Sequence, residues 1–205
     1  MIGILDLNMG NIRSVFNAVY QNGFDPVVVD SPDCLDDLSH LIVPGVGNFG
    51  AAVPELDRRN LRKGVIDFAI SKRPILGTCL GMQLLMELGS EGGKSNGLGL
   101  IPGRVERLHT HENLRIPHVG WNILNLTRPH PVFTGIKTMC DFYFVHSYEV
   151  ICSDNVHVIG ETDYGHPVAA VIGKENVIGV QFHPEKSQVN GMRVIENFCL
   201  WDGRC

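Results

Sequence analysis

Between residues 2 and 88, short apolar runs alternate with stretches of helical periodicity, and no other feature narrows the choice of fold as much. Runs at 2–5, 26–29, 41–43 and 74–76 read as strands. Ile12, Val15, Phe16 and Val19 recur at i, i+3, i+4 and i+7, which marks one face of a helix. Asn11 stands where it can cap that helix, and Gly23 lies just past its end. Leu61, Val65, Phe68 and Ala69 mark another helix, and the periodicity predicts a further one over 80–88. Strands joined by helices predict a parallel sheet covered on both faces. After a glycine-rich loop at 89–99, strand-like runs crowd together at 105–108, 121–126, 142–145, 156–160, 168–172 and 177–182. Lys174-Glu175-Asn176 reads as a hairpin turn between the last two, and a closing helix spans about 191–200. The expected fold class is α/β, with a mostly parallel central sheet flanked by helices, a nucleophile elbow, and antiparallel strands in the later half. A single domain over 1–205 is expected.

Composition excludes several classes of function. Lys plus Arg is 17 against 22 Asp plus Glu, a formal charge of −5, which argues against a nucleic-acid binder. With 44% hydrophobic and 19% charged residues the chain can form a buried core. No apolar run approaches the ~20 residues of a membrane span. Met1 leads straight into Ile2-Gly3-Ile4-Leu5-Asp6 with no basic segment or cleavage site, so no signal peptide and a cytoplasmic location are expected. The six cysteines form no C-x-x-C pair and read as free thiols of a reducing cytosol.

Three motifs invite readings that their context does not support. Gly45-Val46-Gly47-Asn48-Phe49-Gly50 matches G-x-G-x-x-G, but the acid at the expected distance, Asp67, falls inside a helical pattern rather than at a strand end. Gly92-Gly93-Lys94-Ser95 resembles the end of a phosphate loop, yet Leu88 occupies the place of its first glycine. His109-x-His111 has no third ligand at a suitable spacing, so neither a metal nor a cofactor is expected.

Gly77-Thr78-Cys79-Leu80-Gly81 sits between a strand and a helix, the strand–turn–helix setting of a nucleophile elbow. The turn strains the backbone, the glycines relieve crowding, and the side chain is pushed out at the carboxyl edge of the sheet. The following helix would turn free N–H groups toward the sulfur, a context that favours thiolate. A thiolate needs a base and an orienter. The strand at 177–182 leads into His183-Pro184-Glu185, which supplies an imidazole and a carboxylate to hold it in one tautomer. Val46, in the loop after another strand of the sheet, and Leu80 would each contribute a backbone N–H to an oxyanion hole. Gly45 and Gly47 leave the Val46 peptide free to rotate, so the loop could present either a carbonyl or an N–H at that position.

These residues make the chain resemble the class I (triad) glutamine amidotransferases, through G-T-C-L-G-M-Q-L-L around Cys79 and V-Q-F-H-P-E-K-S around His183 and Glu185. P-G-V-G-N-F-G at 44–50, P-H-V-G-W-N at 117–122 and Y-F-V-H-S-Y at 143–148 narrow the resemblance to the glutaminase subunits of imidazole glycerol phosphate synthases, over nearly the whole chain. The resemblance implies Cys79 as nucleophile, His183 as base and acid, and Glu185 as orienter. It implies L-glutamine bound against Gly45, Gly47, Gln83 and the backbone at Ser147 and Tyr148. A glutamyl thioester would form, and ammonia would pass into a (β/α)8 cyclase partner of histidine biosynthesis. That partner makes imidazole glycerol phosphate and an aminoimidazole carboxamide ribotide. The resemblance also places Trp121, Tyr143 and Lys186 at the subunit interface near the ammonia entrance. Similar small glutaminase subunits serve amidotransferases of surface sugars, so the acceptor stays open at this point. The other readings left standing are an elbow-cysteine hydrolase of another kind, or a dinucleotide-binding module built on Gly45 to Gly50.

Overall fold

The computed structural model describes residues 1–110 and 114–204, so His111 and Cys205 lie outside the described residues. The first half runs β1 (Ile2–Leu5), α1 (Ile12–Gln21), β2 (Pro26–Val29), β3 (His40–Val43), α2 (Phe49–Arg58), α3 (Leu61–Ile70), β4 (Ile75–Thr78) and α4 (Leu80–Leu84). Then come β5 (Met86–Gly89), β6 (Ser95–Asn96), β7 (Ile101–Arg107), β8 (His118–Leu126), β9 (Cys140–His146) and β10 (Tyr148–Cys152). The chain closes with β11 (Val158–Asp163), β12 (Pro167–Lys174), β13 (Val177–Val180) and α5 (Gln188–Leu200).

Among the described residues nine strands form the main sheet, in the order β2-β1-β3-β4-β13-β12-β11-β8-β9. The β2-to-β13 part is parallel, and the ribbon from β12 to β9 is antiparallel. β1, β3, β4 and β13 are buried nearly throughout, as a sheet covered on both faces requires, while β2 at the edge leaves Val28 exposed. Leu5, Val43, Phe49, Leu56, Val65 and Phe68 pack on one face; Ile4, Val15, Val19, Val180 and Phe198 pack on the other. A second sheet, β10-β7-β5-β6, adjoins the first of these clusters through Met86, Ile101, Val105 and Val150. Because β3, β4 and β13 run parallel, their carboxyl ends bring residues 44–47, 79 and 181–183 to one edge. Among the described residues no helix is long and apolar enough to cross a membrane.

Several elements depart from the sequence expectation. The helix expected over 80–88 stops at Leu84 and the chain turns into β5. The Leu84 and Leu85 carbonyls are taken by the amides of Leu98, Leu100 and Ile101, so the next helical turn has lost its acceptors to a neighbouring segment. The glycine-rich stretch after β3 leads into α2, whose Phe49, Ala52, Val53 and Leu56 are buried at helical spacing. Strand β10, absent from the expected set, pairs antiparallel with β7. The expected strand at 177–182 ends at Val180, and α5 starts at Gln188 rather than near 191. Asn11 occupies the N-cap of α1 in a left-handed conformation (φ 68°) but makes no capping bond with its side chain.

Candidate active site

Cys79 lies between β4 and α4 at φ 52° and ψ −109°, a strained conformation for a residue with a Cβ. The flanking glycines are required by close approach. A Cβ on Gly81 would stand 1.6 Å from the Val43 carbonyl oxygen, and one on Gly77 would stand 2.7 Å from Gly81. Helix α4 can therefore start directly over the strand ends only with glycine at both places. The Cys79 amide donates to the Val180 carbonyl at 2.8 Å, which fixes the elbow to the end of β13. The sulfur lies 3.7 Å from the Val145 carbonyl oxygen and 3.7 Å from Gln181 Nε2.

Three residues past β13, His183 is held by its own amide, which donates to the Tyr143 carbonyl at 2.9 Å. Ser187 ties the same turn to β9, donating from its hydroxyl to the His183 carbonyl and accepting from the Tyr143 amide. His183 Nδ1 sits 2.9 Å from Glu185 Oε1, and both side chains are buried, at 0% and 1% exposure. Glu185 Oε1 also accepts from Asn11 Nδ2 at 2.5 Å, so Asn11 braces the carboxylate instead of capping α1. Burial opposes charge on His183, but the Cys79 thiol and the Glu185 carboxylate outweigh it and raise the imidazole to about 9. Burial likewise opposes charge on Glu185, yet His183 and Asn11 hold it below the usual carboxylate range. His183 Nε2 has no hydrogen-bond partner in this geometry, so Cys79 acts on it as a neighbouring group rather than through a closed bond.

A cavity of about 150 Å³ opens over the sulfur, lined by Val46, Gly47, Cys79, Leu80, Gln83, Glu91, Val145, His146 and Tyr148. Gln83 Nε2 donates to the Tyr148 carbonyl at 3.3 Å and to Gln181 Oε1 at 3.2 Å. Ser147 does not line the cavity; its carbonyl accepts from the Leu108 amide. Neither expected oxyanion donor is free. The Leu80 N–H donates to the Gly45 carbonyl at 3.3 Å, and the Val46 N–H donates to the Met9 carbonyl at 3.0 Å. Gly47 holds φ 133°, a region that favours glycine. The loop thus points a carbonyl where the expected hole needs an N–H.

Trp121, Tyr143 and Lys186 meet on one side of the site. The Trp121 and Tyr143 rings cross edge-on at 5.9 Å, and Lys186 Nζ stands 5.9 Å from the Tyr143 ring centre. Sequence reasoning missed Asn11, Glu91 and Gln181. Gln181 sits in the same V-Q-F-H-P-E stretch as His183, and its place two residues before the base was the available signal. Nothing in the glycine-rich loop marked Glu91. Its Oε2 accepts from the Phe49 amide at 2.7 Å, and a Cβ on Gly50 would stand 2.7 Å from the Glu91 carbonyl oxygen. The glycine pattern at 45–50 therefore seats this loop beside the cavity. Asp67, the acid the dinucleotide pattern would need, pairs with Lys63 along α3. Among the described residues no group of three or more His, Cys, Asp or Glu could hold a metal.

Three histidines set a pH dependence of stability. Burial holds His118, His130 and His146 down to about 4 in the folded chain. Between about pH 6.5 and 4 the unfolded chain binds more protons, so stability rises with pH there and is lost on acidification. His183 acts in another window: its contribution is full below about 6.5 and is lost as pH rises through about 9. Moving from pH 7 to pH 5 is expected to remove on the order of 2–5 kcal/mol. Thermal unfolding at both pH values checks this, and an equal Tm would contradict it.

A family model described as "Glutamine amidotransferase class-I" matches residues 3–201. The imidazole glycerol phosphate synthase subunit HisH of Sulfurimonas denitrificans is 44% identical over 201 residues, covering 97% of each chain. That of Desulfitobacterium hafniense is 44% identical over 201 residues, covering 98% of this chain and 94% of the relative. Among solved structures, a crystal structure of a glutamine amidotransferase superposes with TM-score 0.76 at 20% identity, covering 97% of each chain. PurLQS from Thermotoga maritima gives the same values, which speak for the fold.

Proposed function

The chain belongs to the class-I glutamine amidotransferase family and, within it, to the imidazole glycerol phosphate synthase HisH subunits, and from that premise we propose that residues 1–205 act as one glutaminase domain, hydrolysing L-glutamine to glutamate and ammonia. The observation that carries this reading is the elbow itself. A strained, buried cysteine is bonded through its backbone to the end of β13, and that strand's continuation delivers a histidine braced by a buried carboxylate.

The chemistry follows from the geometry. Glu185 accepts from Nδ1–H of His183, which leaves Nε2 to exchange protons. The Cys79 S–H bond breaks with its proton passing to His183 Nε2, the sulfur attacks the side-chain carbonyl carbon of glutamine, and a C–S bond forms as the carbonyl oxygen takes up negative charge. The imidazolium gives its Nε2 proton to the amide nitrogen, the C–N bond breaks, and ammonia leaves a thioester. His183 then takes a proton from water as the water attacks, and the C–S bond breaks to release glutamate. Gln83 and the Tyr148 backbone offer polar contacts for glutamine, with Gly47 beside them, whereas Gly45 and Ser147 do not line the cavity. Glu91 supplies a carboxylate to meet the α-ammonium.

Ammonia released to water would be mostly protonated and a poor nucleophile, so a partner must receive it directly. The partner proposed is the (β/α)8 cyclase of imidazole glycerol phosphate synthase, docked at Trp121, Tyr143 and Lys186. Trp121 is 49% exposed beside Val119 and Ile123, an apolar strip next to the site.

With the partner present, His183→Ala is expected to lower kcat more than Glu185→Gln, since the imidazole moves protons and the carboxylate orients it. Steady-state glutamate formation tests this; an equal or larger loss for Glu185→Gln at unchanged Tm would count against the roles. Glu91→Gln is expected to raise KM for glutamine by about tenfold or more, with kcat nearly kept, as loss of a charged partner does. An unmoved KM would remove Glu91 from the site.

A further inference from the structure

Behind the cavity runs a buried polar chain that none of the steps above uses. His146 Nδ1 lies 2.9 Å from the Tyr148 carbonyl oxygen, and His146 Nε2 lies 2.9 Å from His118 Nδ1. His118 Nε2 lies 3.3 Å from Asn122 Nδ2. Both rings are buried, and His118 is stacked between Phe144 at 4.9 Å and Tyr164 at 4.0 Å.

The two ends of this chain fix every proton in it. The Tyr148 carbonyl only accepts, so His146 must carry Nδ1–H and present a bare Nε2. The orientation of the Asn122 amide is set by its own contacts: Nδ2 donates to the Asp163 carbonyl at 2.8 Å, and Oδ1 accepts from the Ile123 amide at 2.8 Å. Asn122 Nδ2 therefore donates to a bare His118 Nε2, and His118 donates from Nδ1–H to His146. One arrangement satisfies all three bonds, with both rings neutral and both protonated at Nδ1. Burial, which holds both rings down to about 4, agrees with neutral rings.

The chain then continues to the nucleophile. The Tyr148 carbonyl that accepts from His146 also accepts from Gln83 Nε2; Gln83 meets Gln181 Oε1, and Gln181 Nε2 lies 3.7 Å from the Cys79 sulfur. We propose that His118 and His146 are positioning residues of the glutamine site, a relay in one fixed tautomer that ties β8 to the Tyr148 carbonyl and so sets Gln83 and Gln181 beneath the substrate. This rests on the glutaminase reading of the same cavity. It implies that the P-H-V-G-W-N stretch does two jobs on opposite faces of β8. His118 and Asn122 face inward to the relay, while Val119, Trp121 and Ile123 are exposed on the other side.

Two measurements test the relay. Long-range ¹H–¹⁵N correlation spectra of the histidine-labelled chain at pH 7 should show Nδ1–H and bare Nε2 for both His118 and His146. An Nε2–H tautomer or an imidazolium at either ring would overturn the proposal. In the complex with the cyclase partner, His118→Phe keeps a ring between Phe144 and Tyr164 but donates nothing to His146. Its KM for glutamine should rise about tenfold with kcat within about threefold. Adding it to His146→Phe should change KM by less than about twofold, because the relay is already cut. A purely structural role would lower the active fraction, and with it kcat, at constant KM. An active wild type with an unmoved KM in His118→Phe would sink the relay alone. A wild type that makes no glutamate would instead sink the glutaminase reading.

Discussion

Replacing Cys79 by alanine is expected to lower glutamate formation by more than about 10⁴-fold in the complex, while thermal unfolding stays cooperative and close to wild type. The sulfur is the nucleophile of the proposed reaction, and among the described residues no other cysteine lines the cavity. The substitution keeps the Cβ and the elbow backbone, and it removes an atom that already borders open space. The hydrogen bond from the Cys79 backbone N–H to the Val180 carbonyl and the close backbone approaches at Gly77 and Gly81 do not involve the sulfur and survive the change. Cys79→Ser should be inactive as well, since a hydroxyl in the same place is a far weaker nucleophile. Residual hydrolysis within about tenfold of wild type would remove Cys79 from its role.

The second large effect concerns the partner. The chain alone is expected to be a poor glutaminase, about 10²–10³-fold slower than in complex with the cyclase and its nucleotide ligand. The Gly45 carbonyl accepts from the Leu80 N–H, and the Val46 N–H is spent on the Met9 carbonyl. In the proposed reaction, oxygen is thus presented where the negative charge of the intermediate would go. Rotating the peptide between Gly45 and Val46 would exchange that carbonyl for an N–H and free Leu80 as the second donor. Gly47, at φ 133°, gives the loop the freedom to do so. A partner that binds only the rotated form shifts the population by a few kcal/mol. Glutamine hydrolysis by the chain alone, with partner, and with partner plus ligand checks this. Comparable rates in all three would show that the peptide orientation does not limit the reaction.

Much of this site was legible in the sequence, and the parts that were not share a cause. Gly77, Cys79 and Gly81 announced the elbow because their spacing answers a local steric demand, visible as a Cβ on Gly81 falling 1.6 Å from the Val43 oxygen. The contact between His183 and Glu185, the proposed base and orienter, was legible because the two are only two residues apart. Asn11 was read as a helix cap because capping is its usual local use; the competitor was Glu185, 174 positions away. Glu91 escaped for a similar reason, since its place depends on Gly50 and the Phe49 amide in a distant loop. The fold shows the same division. The parallel half followed from periodicity, whereas helix α4 was cut short by amides from Leu98 to Ile101 that no local pattern encodes. Strand β10 was hidden by the polar Glu149, which is buried because it pairs with His166 at 2.9 Å.

The central claim, that Cys79 is the nucleophile of a glutamine-specific site, is tested most directly by mass spectrometry after treatment with an electrophilic glutamine analogue. The other thiols provide internal controls. Burial pushes Cys152 and Cys199 up to about 11 and about 12, which keeps them as unreactive thiols, while Cys34 is exposed and reports non-specific alkylation. In the presence of the partner, one label per chain is expected, on the peptide that carries Cys79, and excess L-glutamine should protect it. A label on Cys34 or any other cysteine with Cys79 left free, or labelling of Cys79 that glutamine does not slow, would contradict the account.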